Sequence, residues 1–177
     1  MIFILLNDLL NYLKEEIPDR TFQLNYLPGR DVVNQTEGDS MYITLLNISE
    51  DVSSKIPYVY HQDTNNKFSR QNPPLILDLC IMISSFFNHY DEGLKAISAV
   101  INKLASKTKF KTENSTVTIS LYNISMEQNS NLWQALSTNV LPNVVYKIRY
   151  IPVNPELNLE ADLSGEVTEV NVKTKKL

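Results

Sequence analysis

Glycine, cysteine and histidine are scarce in this sequence, whose 177 residues include four glycines, one cysteine and two histidines. So few glycines nearly exclude the glycine-rich loops that bind phosphate groups. A single cysteine, Cys80, rules out an internal disulfide framework. Cys80 lies within the apolar run LILDLCIMI. We therefore interpret it as a small buried hydrophobic residue and not as a reactive thiol.

Long apolar runs and an excess of basic residues are also missing. No segment approaches the roughly 18 apolar residues that cross a bilayer. The first residues, MIFILLNDLL, lack the positive start of a signal peptide, so we do not expect export by the general route. The net charge of -4 gives no basic footprint for nucleic acid and no polybasic membrane anchor. We therefore expect neither nucleic-acid binding nor membrane insertion.

Residues for catalysis or metal binding are not grouped along the chain. The two histidines, His61 and His89, stand apart from each other and from Cys80. A zinc site needs about four nitrogen, sulfur or oxygen ligands, and nucleophilic catalysis needs a nucleophile with a base beside it. We interpret His89 as a turn or capping residue. The sequence predicts no catalytic residue, no metal site and no cofactor.

The hydrophobic periodicity follows the order helix, two strands, loop, strand, helix, strand, helix, strand. This order predicts a single α+β domain with a mixed or mainly antiparallel sheet of about four to six strands and about three helices packed on one of its faces. The first helix carries an apolar stripe: Ile2, Leu5, Leu6, Leu9, Leu10 and Leu13. The stripe of the second helix is predicted to be Leu94, Ile97, Ile101 and Leu104. Ser125 and Gln128 have the spacing of a capping box that opens the third helix.

The run LILDLCIMISSFF is apolar on both alternating faces, which predicts a central strand. Asp78 conflicts with full burial of this strand. It pairs with a neighbouring cation, meets a partner protein or occupies a partly exposed position, and the pattern favours the last of these because buried carboxylates are rare.

The last strand alternates a tyrosine-rich face with a basic face. We expect Val144, Tyr146, Ile148 and Tyr150 to face the core together with Trp133 of the preceding helix. Lys147 and Arg149 lie on the other face. Two interpretations remain open: an ordinary amphipathic strand, or a basic strip that contacts an acidic protein surface.

Two segments are predicted to extend beyond the main domain of residues 1–153. Residues 51–72 form a polar stretch that is long for a loop in a compact domain. Tyr58 and Tyr60 suggest that it is a projecting hairpin arm and make it a candidate contact site. Residues 154–177 lack a strong helical period, and we interpret them as an extended C-terminal arm.

The order of these blocks resembles one protein family. The N-terminal amphipathic helix is followed by ITLLNISED, by NPPLILDLCIMISSFFNHYDEGLKAISAVINKL, and by VTISLYNISMEQNSNLWQALSTNVLPNVVYKIRYIPV. Together they resemble the tail-terminator or cap proteins of extracellular contractile injection systems, the phage-tail-like particles of the antifeeding-prophage type. The resemblance covers about residues 1–153, and its specificity comes from the order and spacing of the blocks, since no motif in it is catalytic.

The resemblance implies a structural subunit and not an enzyme. It implies a hexameric ring that sits on the end of the tube and sheath, terminates assembly and anchors the sheath. Such a protein would be assembled in the bacterial cytoplasm as part of a particle that is released. Two alternatives from the residues alone stay open: a soluble α+β adaptor that binds one protein partner, and an enzyme with an unfamiliar site.

Overall fold

The computed structural model describes residues 2–27, 39–51, 59–62, 68–71, 75–112, 115–137 and 139–152. Within them the elements, in chain order, are α1 (Ile2–Glu16), β1 (Phe22–Leu24), β2 (Ser40–Glu50), β3 (Val59–Gln62), β4 (Phe68–Gln71), β5 (Leu77–Phe86), α2 (Tyr90–Ser106), β6 (Lys109–Thr112), β7 (Ser115–Leu121), α3 (Met126–Leu136) and β8 (Asn143–Pro152). This composition confirms the predicted α+β class. None of the described helices is long and apolar enough to cross a membrane.

Six of the described strands form one mixed sheet in the order β1-β2-β5-β8-β7-β6. β1 runs parallel to β2, and every other neighbouring pair is antiparallel. β5 lies between β2 and β8, so the prediction of a central strand is confirmed. One of its faces and the Met82 end of the other face are covered, which is why the run is apolar at most odd and even positions.

One face of the sheet, called here the first face, carries α1 and α2. Alternate residues of β5 and β8 point to this face and join the leucines of α1 in one large core. Its fully buried members include Leu13 of α1, Val100 of α2, and Ile81 and Ile148 of the sheet. The leucine stripe of α1 is confirmed, since Leu5, Leu6, Leu9, Leu10 and Leu13 are buried.

The stripe predicted for α2 is wrong at two positions. Leu94 and Ile101 are 44% and 37% exposed. The buried residues are instead Gly93, Ala96, Ile97, Val100 and Leu104. The helix lies close to the sheet at Gly93, where an added Cβ would come within 3.0 Å of Ser85 Oγ. The small residues Gly93 and Ala96 therefore let the helix approach the sheet on this side. A prediction from hydrophobic periodicity gives such small residues little weight.

α3 lies on the opposite, second face of the sheet, so the prediction that the helices share one face is wrong. Trp133 packs against Met82 and Val145, which alternate with the residues of the first face. The expectation that Trp133 shares a core with Tyr146 and Ile148 is wrong for the same reason. Trp133 instead lies on the same face as Lys147 and Arg149, because side chains two residues apart on a strand point the same way.

The cap of α3 and the hairpin formed by β3 and β4 are two further features of the described fold. Ser125 caps α3 through a capping box: its hydroxyl accepts from Gln128 N–H, and the Gln128 side chain accepts from Ser125 N–H. β3 and β4 pair as an antiparallel hairpin in a sheet of their own, as predicted for part of residues 51–72. The C-terminal arm predicted at residues 154–177 lies outside the described residues.

A candidate contact surface on the second face

The second face has two halves that differ in chemistry. α3 and the apolar cluster around Trp133 cover the half nearest the start of β8. The other half carries polar side chains from five strands, and none of the described elements covers it. We call this region the polar half-face and define it by Ser49, Asp78, Lys109, Thr118, Ser120, Lys147 and Arg149.

Strand register brings the residues of the polar half-face together in two rows. Asp78 is paired with Ser49 on one side and with Arg149 on the other, and Arg149 is in turn paired with Thr118. In the next row Lys147 lies opposite Ser120 of β7. The two predicted contact residues, Lys147 and Arg149, are therefore two positions apart on one strand and flanked by hydroxyl groups.

Both cations are bound to the carboxylate of Asp78. Lys147 Nζ lies 2.6 Å from Asp78 Oδ2, and Arg149 Nε donates to Asp78 Oδ1 over 3.3 Å. The Asp78 side chain is only 9% exposed. The favoured interpretation of a partly exposed Asp78 is therefore wrong, and its alternative, pairing with a neighbouring cation, is correct. The burial is possible because two cations neutralise and solvate the carboxylate.

Arg149 also bridges to a second carboxylate. Its Nη2 lies 2.8 Å from Asp51 Oδ2, and the Asp51 side chain is 6% exposed. The backbone N–H of Asp51 donates to Ile76 O at the start of β5, which fixes its position. The sequence placed Asp51 at the start of the polar stretch 51–72 and did not indicate this contact. Asp51 follows Ser49 by two residues, so the sequence indicates that the two side chains lie on the same side of the chain. This predicts a contact with Arg149 only once the pairing of β2 with β5 and of β5 with β8 is known.

The solvent-facing charge of this region is positive. The side chains of Lys147 and Arg149 are 37% and 40% exposed, whereas both carboxylates are enclosed behind them. Lys109 adds a third exposed cation at the β6 edge. An exposed row of cations and hydroxyl groups over buried carboxylates can bind acidic or hydrogen-bond-accepting groups, and nothing in it resembles a catalytic arrangement.

The remaining polar groups of the described residues show no arrangement typical of catalysis or of metal binding. Burial raises the pKa of the Cys80 thiol, which keeps it protonated, although the nearby Lys147 opposes the shift. The described residues contain no group of three or more histidine, cysteine or acidic side chains that could hold a metal ion. His89 stands at the N-cap of α2, as predicted, but its side chain makes no capping hydrogen bond.

One of the two predicted contact tyrosines lies within the described residues. Tyr60 lies on β3, where it is paired with Arg70 of β4. Tyr58 lies outside the described residues. Both remain predicted contact residues.

The family described as the Pvc16 N-terminal domain matches residues 5–164. The chain belongs to this family. The matched range contains the six-stranded sheet and, except for the first residues of α1, the three described helices. The resemblance of the sequence blocks to cap proteins is confirmed at the level of the family.

Two solved structures share the fold of this Pvc16-type domain. The sheath/tube terminator of the extracellular contractile injection system PVC, in its extended state, matches with a TM-score of 0.70 and 16% identity over 100% of this chain and 64% of that chain. The tube-terminating cap of the anti-feeding prophage matches with a TM-score of 0.64 and 14% identity over 98% of this chain and 60% of that chain. The chain thus spans less than two thirds of either protein. No curated protein matches it significantly.

Proposed function

We propose that this chain is a cap subunit that terminates the tube and sheath of a contractile injection particle. One observation carries the proposal: the whole described fold matches proteins whose structures are those of tube and sheath terminators. The membership of the Pvc16 N-terminal domain family supports the same role. The subunit acts by binding, without catalysis.

The proposed working form is a hexameric ring. A ring needs heterologous contacts, in which one surface of a subunit meets a different surface of its neighbour. The two faces of this sheet differ in chemistry and so offer two unlike surfaces on one subunit. The first is buried under α1 and α2, and the second carries the polar half-face, which none of the described helices and strands covers.

We assign Lys147 and Arg149 to such a contact, either with a neighbouring subunit or with the sheath. Tyr58, Tyr60 and the C-terminal residues 154–177 are the other proposed contact regions, and their proposed partner is an adjacent subunit or the sheath. The ring anchors the sheath to the tube end, and assembly takes place in the bacterial cytoplasm before the particle is released.

Co-sedimentation with assembled tubes tests this function. The protein is mixed with purified tube and sheath subunits, and the amount that pellets with the tubes is measured together with the distribution of tube lengths. Sub-stoichiometric pelleting and shorter, more uniform tubes are expected. A folded protein that stays in the supernatant and leaves tube length unchanged contradicts the proposal.

Ser120→Glu tests the contact surface separately. Ser120 is exposed on the polar half-face, so the new carboxylate reverses part of the local charge without removing either cation that pairs with Asp78. The matched control is Ser98→Glu on the exposed side of α2. We expect Ser120→Glu to reduce pelleting with tubes and Ser98→Glu to leave it unchanged. Equal behaviour of the two variants would show that the polar half-face makes no contact.

A further inference from the structure

We infer that the polar half-face of one subunit receives the acidic stretch of residues 156–169 from a neighbouring copy of the same chain. This inference rests on the proposed ring and names the partner of the contact surface described above.

The two regions have opposite charge. The polar half-face turns the cations Lys109, Lys147 and Arg149 toward solvent, while its carboxylates lie behind them. Residues 156–169 contain five acidic side chains and no lysine or arginine: Glu156, Glu160, Asp162, Glu166 and Glu169. The chain as a whole has a net charge of -4, so a basic surface on it is a local feature that favours an acidic partner.

The position of the acidic stretch favours a neighbour as its acceptor. β8 ends at Pro152, and a second proline follows at position 155. A residue before proline is biased toward extended backbone, which favours an extended path for the chain at Asn154. The 17 residues from Val153 to Glu169 can span roughly 55 Å when extended. A domain of this size has a radius of gyration of about 15 Å, so an adjacent subunit is within reach.

Ring geometry also favours this pairing. A heterologous contact joins two unlike surfaces of the same chain and repeats until the ring closes. A basic sheet face and an acidic segment are such unlike surfaces. Ser49, Thr118 and Ser120 add hydroxyl groups that can hydrogen-bond to an extended backbone, in addition to the charge pairing.

Disulfide trapping in the full-length protein tests the inference. Cys80 is replaced by alanine, and one cysteine is introduced on the polar half-face (Ser120→Cys) and one in the acidic stretch (Ser164→Cys). The control pair is Ser98→Cys with Ser164→Cys. Oxidation with diamide is followed by non-reducing gels and by mass spectrometry of the linked peptides.

The inference predicts a ladder of intermolecular products for the Ser120→Cys pair and little for the Ser98→Cys pair. Neutralising the five acids with glutamine or asparagine should reduce the ladder by at least about fivefold, since the contact is electrostatic and partly exposed. Replacing Lys173, Lys175 and Lys176 with glutamine should leave the ladder unchanged.

Three outcomes overturn the inference: only intramolecular products, equal ladders for the two cysteine pairs, or a ladder that is insensitive to the acidic residues. Native mass spectrometry of the untrapped protein, alone and after release from tubes, distinguishes the failure of this contact from the failure of the proposed ring. Rings without a Ser120–Ser164 link refute only this contact. A protein that never self-associates, even on tubes, refutes the proposed ring and this contact with it.

Discussion

The two sides of the Asp78 ion-pair cluster are expected to respond unequally to mutation. Asp78→Ala removes the enclosed carboxylate and leaves Lys147 and Arg149, which are already more than a third exposed and can turn to water. Arg149 also keeps its bond to Asp51. The double variant Lys147→Ala/Arg149→Ala does the opposite, because it takes both cations from the Asp78 carboxylate, whose side chain is 9% exposed, and removes the ion pair between Arg149 and Asp51.

The exposure of the charged groups that each variant leaves behind determines the size of the two effects. Removing one partner of a fully buried ion pair costs about 3–5 kcal/mol, whereas exposed pairs contribute about 0–1 kcal/mol. Asp78→Ala leaves only half-exposed cations behind, so we expect a loss of about 1 kcal/mol. The double variant leaves the enclosed Asp78 carboxylate without its two cations, but water can enter where the two long side chains were. We therefore expect a loss of about 3 kcal/mol.

Chemical unfolding measures the difference. The free energy of unfolding is obtained from urea titrations followed by circular dichroism and by the fluorescence of Trp133, the single tryptophan. Lys14→Ala/Lys109→Ala removes two exposed lysines and serves as the control for the change in net charge. If the double variant is as stable as this control, or if Asp78→Ala is the more damaging change, the cluster does not hold buried charge as described.

Three further predictions concern α3 and the start of α2. Trp133→Ala empties the small core of the second face and should lower stability by about 3 kcal/mol in urea titrations followed by circular dichroism, and no loss would contradict the placement of α3. Ser125→Ala breaks the capping box and should cost about 1 kcal/mol, whereas Ser137→Ala at the other end should cost less. Hydrogen bonds from Lys95 and then Arg20 lower the pKa of Glu92 from 4.5 to about 2, so its stabilising contribution is complete above pH 4.5 and is lost as pH falls toward 2. Glu92→Gln should therefore differ in thermal stability from the unmodified protein at pH 6 but not near pH 2, and a constant difference would be evidence against these bonds.

The structure also changes how the basic strip should be tested. Replacing Lys147 and Arg149 with glutamate is the direct way to reverse the charge of the strip. That change would place four carboxylates around one point of the sheet, because Asp78 and Asp51 already lie there. A loss of capping would then report unfolding and not a lost contact. Ser120→Glu avoids this problem because it changes the surface charge without unpairing a buried group.

Elements defined by local periodicity could be predicted from the sequence. The leucine stripe of α1, the capping box of α3 and the doubly apolar β5 each depend on neighbours a few residues apart. Each of these predictions is confirmed by the structure.

Features that depend on long-range pairing could not be predicted in the same way. The side of the sheet that α3 covers depends on which strands flank β5, and no periodicity within α3 encodes that choice. The partners of Asp78 lie 69 and 71 positions away in the sequence and meet it only through the register of β5 with β8. The contact face of α2 was missed because Gly93 and Ala96 pack closely without being strongly hydrophobic.

The proposed cap can be tested most directly by cryo-electron microscopy of tube ends. Purified protein is added to tubes and sheath of the particle to which it belongs, and the ends are averaged without imposed symmetry. The account predicts a sixfold ring at one end of each tube, with six copies of the sheet and its three helices fitting the density. Bare tube ends in the presence of excess folded protein, or a single bound copy without a ring, would contradict it.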